Sequence, residues 1–245
     1  MATQALYLED AYCFEAEAVV VGADLQGLVL DRTCMYPGGG GQPTDTGEIV
    51  LASGDVLRVE QLIKREDRTL VHVCAPPPPN GAVGAKCVVR VDGPRRLKLM
   101  RYHTALHVFN TVMLRDHDGW ITGVSIGPDE SHIDFKLDNY NADMRPRVER
   151  AVNEVLARSL SVGAYYIGEA EFRNRPDLLR TLEAAPPVTE GRVRVVEIEG
   201  FESQACGGTH VRNTSEVGRL SIRKVDNKGR QNRRFYVTLT LNPAN

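Results

Sequence analysis

No stretch of this 245-residue chain stays apolar for the roughly 18 to 20 residues that a membrane-spanning helix requires. A helical membrane anchor is therefore not expected. Met1 to Asp10 lacks a basic start followed by an apolar core, so no secretory leader is read there either. Cysteine is sparse, and five residues at irregular spacings do not make a disulfide framework. Cys13, Cys34, Cys74 and Cys87 read as buried, reduced thiols, and the cytoplasm is the expected compartment. Net charge is only −2, so the chain as a whole is no polycation. Internal repeats are absent. The remainder is ordinary globular material, 42% hydrophobic and 25% charged, long enough for one large domain or two smaller ones.

Histidine is also scarce, at six residues, yet three of the six fall in two short patterns. The first is His103-Thr-Ala-Leu-His107 and the second is Cys206-Gly-Gly-Thr-His210. Each pairs two metal-competent side chains across three residues, and together they form the N/S donor set that zinc prefers. On a helix, residues four apart share a face, so both imidazoles of the first pair can reach one ion. The second pair has two glycines at its middle, which let the backbone wrap tightly enough to turn a thiolate and an imidazole toward the same point. Either pattern alone arises easily by chance, and a free cysteine is often just a small buried hydrophobe. Both in one histidine-poor chain point to a shared site. No glutamate stands between His103 and His107, so the general base of a zinc protease is missing. The pairs also lie too far apart for a C2H2 finger.

The first ninety residues read as all-β. Segments from Ala16 to Thr33, Val56 to Ile63, Thr69 to Cys74 and Lys86 to Val91 are rich in valine, leucine and alternating polar residues. Turn formers separate them, including a stiff loop from Pro76 to Gly81, and the pattern suggests a small barrel. At Asp92 the character changes. Asp92 can cap a helix that tolerates Pro94 in its first turn and runs to about Asp116. Leu99, Tyr102, His103, Leu106 and His107 then share an inward stripe. A second helix spans about Asp143 to Leu160, on the spacing of Val148, Ala151, Val152, Val155 and Leu156. Strands are expected at His132 to Leu137, Ala164 to Phe172 and Arg192 to Glu199, with a closing hairpin of Arg219 to Val225 and Arg233 to Leu241. The second part reads as α+β, helices packed on a largely antiparallel sheet.

Two further features concern substrates. Tyr36 to Gly47 contains four consecutive glycines, Gly38 to Gly41, and lacks the ending of a phosphate-binding P-loop. Ordering so many glycines is costly, so the run either brings backbone close to a partner or forms a flexible tip. Basic residues cluster at Arg95, Arg96, Lys98 and Arg101, and again from Arg219 to Arg234 with Asp226 the only acid. They suit either a polyanionic substrate or, respectively, an exposed helix turn and a solvated strand face.

Taken together, Tyr36-Pro-Gly-Gly-Gly-Gly-Gln-Pro-Thr-Asp-Thr-Gly47, Arg101-Tyr-His-Thr-Ala-Leu-His107 and Gln204-Ala-Cys-Gly-Gly-Thr-His210 resemble the alanyl-tRNA editing proteins, the AlaX family, and the related editing domain of alanyl-tRNA synthetase. The resemblance runs along nearly the whole chain and is to the longer form, which carries the glycine motif. It implies a β-barrel domain over residues 1–92 followed by a two-layer α+β editing domain over 93–245 holding one Zn2+. It also implies hydrolysis of the ester between wrongly attached serine, in some cases glycine, and tRNA(Ala). By similarity His103, His107, Cys206 and His210 are the zinc ligands. One departure bears on the substrate. Where many relatives carry a pocket glutamine this chain reads Ile121-Thr-Gly-Val-Ser-Ile126, and His132 precedes Ile133-Asp134-Phe135 where an arginine is common. A threonine-like substrate or a toxic analogue therefore stays open.

Ester hydrolysis needs a water nucleophile and a stabilised oxyanion, both of which zinc can promote. A site built around the hydroxyl of serine rejects alanine because its polar groups are left unpaired. Thr104 and Ser125 are the candidates for catalytic contact, with Thr122, Gln204, Gly39 and Gly40 as substrate-binding candidates. Arg95, Arg101, Arg223, Lys224, Arg233 and Arg234 are the candidates for holding the acceptor end of the tRNA by its phosphates. No obligate protein partner is evident. A non-catalytic zinc-stabilised RNA-binding module and a metal hydrolase of small esters or amides remain the rival readings.

Overall fold

A computed structural model describes residues 2–180 and 188–241. The chain divides into two compact units, Met1–Gly39 with Pro43–Leu97, and Gly40–Gln42 with Lys98–Asn245. The helix Gly93–His117 crosses from the first set to the second.

The first unit is built on a closed barrel. Its strands are β1 (Glu15–Asp24), β2 (Gly27–Leu30), β3 (Gly47–Leu51), β4 (Val56–Lys64), β5 (Leu70–Ala75) and β6 (Lys86–Val91). They close in the order β1-β2-β5-β4-β3-β6, which leaves the barrel no free edge. The expected strand from Ala16 to Thr33 is instead a hairpin. Asp24 accepts the backbone N–H groups of Gln26 and Gly27 at 2.8 and 3.2 Å and turns the chain there. Strand β3 has no strong alternation and was not expected. Inward residues such as Leu28, Leu30, Ile49, Leu57 and Val89 fill the core.

His72 sits fully inside this core. One ring nitrogen, Nδ1, lies 3.2 Å from the Leu28 carbonyl and the other, Nε2, lies 2.9 Å from the Thr33 hydroxyl. A carbonyl can only accept, so Nδ1 carries the hydrogen and Nε2 accepts from Thr33. Burial pushes the imidazole down to about 4 from 6.5. The unfolded chain then binds the extra proton as pH falls from 6.5 toward 4 while the folded one does not, so stability declines across that window and levels off below it. The linkage is worth about 3 kcal/mol. The stability of wild-type protein relative to His72→Gln should fall by that amount between the two pH values. A difference independent of pH in denaturant titrations would show that His72 is not held neutral.

The second unit contains most of α1 (Gly93–His117), then β7 (Trp120–Ser125), β8 (Ser131–Lys136), α2 (Met144–Leu156), β9 (Val162–Gly168), β10 (Arg192–Ile198), β11 (Glu202–Ala205), β12 (Arg219–Asn227) and β13 (Asn232–Thr240). One antiparallel sheet has the order β12-β13-β8-β7. In the other, β10 pairs with β9 and with β11, both antiparallel. Phe109 of α1 meets Phe135 of β8 and Phe235 of β13 edge-on, with ring centroids 5.5 to 5.8 Å apart across the three rings. Helix α2 buries Val148, Val152, Val155 and Leu156 as its periodicity requires. It ends short of Leu160, where Ser159 takes a left-handed φ of 55°. The strand expected to reach Phe172 stops at Gly168, and Glu169–Phe172 is a short helix with two acids in its only turn. The architecture is thus mixed α and β with a six-stranded closed barrel.

Candidate metal centre

His103 and His107 are buried on one face of α1. Opposite them runs β11, whose alternation puts Glu202 and Gln204 on one face. Cys206 continues that rhythm just past the strand end, its N–H donating to the Arg194 carbonyl at 3.1 Å. The chain then turns through Gly207 and Gly208 to bring back His210. Gly208 is required by proximity. A Cβ there would stand 2.1 Å from Cε1 and 2.5 Å from Nδ1 of His103.

One ligand atom from each of His103, His107, Cys206 and His210 lies within 4.8 Å of every other. The Cys206 sulfur is 3.5 Å from Nε2 of His103 and 3.4 Å from Nε2 of His210. Each imidazole has its other nitrogen engaged outside the cluster. His103 Nδ1 lies 2.8 Å from Oε1 of Gln42, His107 Nδ1 lies 3.1 Å from Oε1 of Glu202, and His210 Nδ1 lies 3.1 Å from Oγ1 of Thr104. Nδ1–H donation to those oxygens leaves the three Nε2 lone pairs converging, the arrangement by which proteins orient imidazoles toward a metal.

Protons, burial and neighbouring charge compete at the four donors. Burial alone would push the Cys206 thiol up, but the surrounding charge of His103, His210 and His107 outweighs it and holds the thiol well below its ordinary value. Burial would likewise push His107 down, yet Cys206 and Glu202 raise it to about 9. Burial, with repulsion from His103 and His107, drives His210 well below its usual value against the pull of Cys206. Three imidazoles and a thiolate suit zinc or a similar borderline cation. The three histidines are buried and Cys206 is partly buried.

The remaining sequence candidates are placed differently. Thr104 is fully buried, and its hydroxyl oxygen faces His210 and the Val211 N–H at 3.3 Å. It orients a histidine and has no surface to offer a substrate. Ser125 is exposed, opposite His132 on the strand face shared with Gly123 and Asp134. Thr122 lies at the irregularity between β7 and β8 and donates to Asn232 Oδ1 at 3.0 Å. Gln204 accepts from Asn110 Nδ2 at 3.2 Å, turned toward the helix. Gly39 accepts the Tyr36 hydroxyl, while Gly40 is exposed with open space around its Cα.

Among the basic candidates, Arg95 donates to the Thr44 carbonyl and Arg234 forms a two-pronged pair with Asp134 at 2.7 and 2.8 Å. Arg101 has its Nε buried without a partner. Lys224 pairs with Asp226 and covers the Tyr236 ring at 4.1 Å, and Arg233 lies over Tyr140 at 5.6 Å. Arg223 is exposed at a break in the β12-β13 register. Sequence reasoning missed Gln42, Glu202 and Thr209. The one local signal was an acid four residues before Cys206, on the same strand face.

Residues 193–236 match the family described as the threonyl and alanyl tRNA synthetase second additional domain, and residues 4–95 match class II (A) tRNA synthetases. The alanyl-tRNA editing protein AlaX-M of Methanosarcina acetivorans is 37% identical over 242 residues, covering 97% of this chain and 99% of that protein. Its counterpart in Saccharolobus solfataricus is 34% identical over 239 residues, with the same coverage. The alanine–tRNA ligase of Korarchaeum cryptofilum is 37% identical over 223 residues, 90% of this chain but 24% of the ligase. No described helix is long and apolar enough to cross a membrane.

Proposed function

The chain belongs to the alanyl-tRNA editing protein family, and on that premise we propose that it acts in trans on mischarged Ser-tRNA(Ala), and on Gly-tRNA(Ala), at a zinc ion held by His103, His107, Cys206 and His210. Members of the family are deacylases, hydrolases of aminoacyl-tRNA. The observation that carries the zinc reading is the convergence of three Nε2 atoms and one sulfur, every imidazole being fixed through its Nδ1.

Bound there, zinc would supply Lewis acidity to polarise an ester carbonyl and to acidify water. The protein's own part is geometric. Gln42, Glu202 and Thr104 hold the three rings. His103, His107, Cys206 and His210 would together hold the ion, and four donors from the protein is the usual number for zinc. The hydroxyl of a misattached serine finds polar partners at such a centre, whereas the methyl of alanine leaves them unpaired. The tRNA phosphates are met by cations around the β12-β13 hairpin, foremost the exposed Arg223, while Lys224 and Arg233 must share their charge with Asp226 and with Asn227 and the Gly229 carbonyl. Arg95 and Arg234 are already committed to partners within the protein.

The test is deacylation of tRNA charged with serine, glycine, alanine or threonine, with zinc-replete and chelator-treated protein. Serine and glycine should be released, alanine retained, and the activity lost with the metal and restored by adding it back. Full activity after zinc removal with an intact fold would sink the metal reading. Preference for threonine would move the substrate, and tRNA binding without turnover would leave an RNA-binding module.

A further inference from the structure

We propose that Gln42 is a positioning residue of the metal centre, fixing the tautomer of His103, and that the glycine run exists to deliver it. The role rests on the zinc reading above. Gln42 is 2% exposed, and every polar atom of its side chain is used. Oε1 lies 3.2 Å from the Thr209 N–H and 2.8 Å from His103 Nδ1, while Nε2 donates to Thr209 Oγ1 at 2.7 Å.

A backbone N–H can only donate, so the amide of Gln42 must present its oxygen to Thr209. The same oxygen is the one that meets His103, so the imidazole must carry its hydrogen on Nδ1. Nε2 is then a lone pair aimed at the Cys206 sulfur. Thr209 sits one residue before His210, so one amide ties together the two ligand-bearing segments, α1 and the Cys206–His210 turn.

The glycines explain how a glutamine 61 residues before His103 reaches it. Gly40 and Gly41 have φ values of 57° and 82°, in the left-handed region. Gly41 presses so closely on β7 that a Cβ would stand 2.6 Å from Val124 Cγ1 and 2.7 Å from its carbonyl oxygen. The Gly41 carbonyl accepts the Ile126 N–H at 2.9 Å, which pins the backbone immediately before Gln42. No side chain fits at Gly41, and without that approach the amide would not arrive.

The experiment compares full-length wild-type, Gln42→Leu and Gln42→Glu proteins for zinc affinity by competition with a chromophoric chelator, and for the tetrahedral absorption of bound Co2+. Leucine keeps the bulk and removes the acceptor, and zinc should bind roughly 10- to 100-fold more weakly with a diminished Co2+ band. Glutamate retains an acceptor oxygen for His103 and should stay within a few-fold of wild type, about the scatter expected of a conservative change. Should Gln42→Leu not fold, Thr209→Val removes the hydroxyl that anchors the amide and should weaken zinc by about an order of magnitude at most. Unchanged affinity and spectrum in Gln42→Leu, or equal losses in Gln42→Leu and Gln42→Glu, would overturn the assignment. Wild-type protein that takes up no zinc overturns the centre itself, a failure distinct from either.

Discussion

Gly208→Ala should fold normally and yet bind zinc at least about 100-fold more weakly than wild type, with deacylation falling in step. The single added methyl would lie 2.1 Å from Cε1 of His103, far inside contact distance. Backbone strain is not the cause, because Gly208 has no left-handed φ that alanine would resist. The ring has little freedom to yield either. It is held by Gln42 on one nitrogen and rooted on a helix, so relief requires Nε2 to swing away from the cluster. The same methyl would stand 3.1 Å from Oε1 of Gln42, tightening the clash. Circular dichroism, bound-metal analysis and turnover of Ser-tRNA(Ala) on one preparation decide the matter. A variant that keeps stoichiometric zinc and wild-type rate would mean that His103 is not a ligand.

The second large effect belongs to the barrel unit and is one of stability. Arg96→Leu should cost about 3 to 5 kcal/mol, measured by denaturant unfolding of the full chain. Arg96 is fully buried, and its Nε lies 2.9 and 2.8 Å from the two carboxylate oxygens of Asp45, with Nη2 also on Asp45. Its remaining donors reach the carbonyls of Ala11 at 3.0 Å and Cys34 at 2.7 Å. Leucine would leave the buried Asp45 carboxylate without its counter-ion and the buried Cys34 carbonyl without this donor. Replacing both Arg96 and Asp45 by leucine should recover part of the loss, since burying a matched pair of charges is itself expensive. A single variant within 1 kcal/mol of wild type would contradict the account.

Arg96 also shows where reading the chain alone goes astray. Together with Arg95, Lys98 and Arg101 it looked like a patch of positive charge, but helical geometry scatters the four. Lys98 pairs with Asp129 at 2.9 Å, Arg95 caps a carbonyl and Arg96 is internal. Clustering in sequence says nothing about partners more than thirty residues distant. Periodicity served well where it was strong, as along α2 and in strand β6, while α1, buried nearly all round, was legible from Asp92, Pro94 and its composition. Periodicity failed for β3, β7 and β11, whose sequences show no strong alternation of apolar and polar residues.

The four donor positions were legible because their spacing is itself chemical, one helical turn in one case and a glycine-softened turn in the other. The groups that hold the rings were not. Gln42, Glu202 and Thr209 have meaning only through contacts across 61 to 167 residues. Thr104 reads from sequence as a catalytic contact and Gln204 as a substrate contact, yet the first is fully buried against His210 and the second accepts from Asn110. A hydroxyl or amide near a metal motif has the same letter whether it faces ligand or scaffold.

His103 and Cys206 lie 103 residues apart along the chain. A cation gripping both would cinch a long loop as a staple does, at a price in chain entropy that grows only slowly with loop length. It also sets an order on biosynthesis. A nascent polypeptide still inside the ribosome short of His210 lacks a complete claw, so capture of the ion must wait until that residue has emerged.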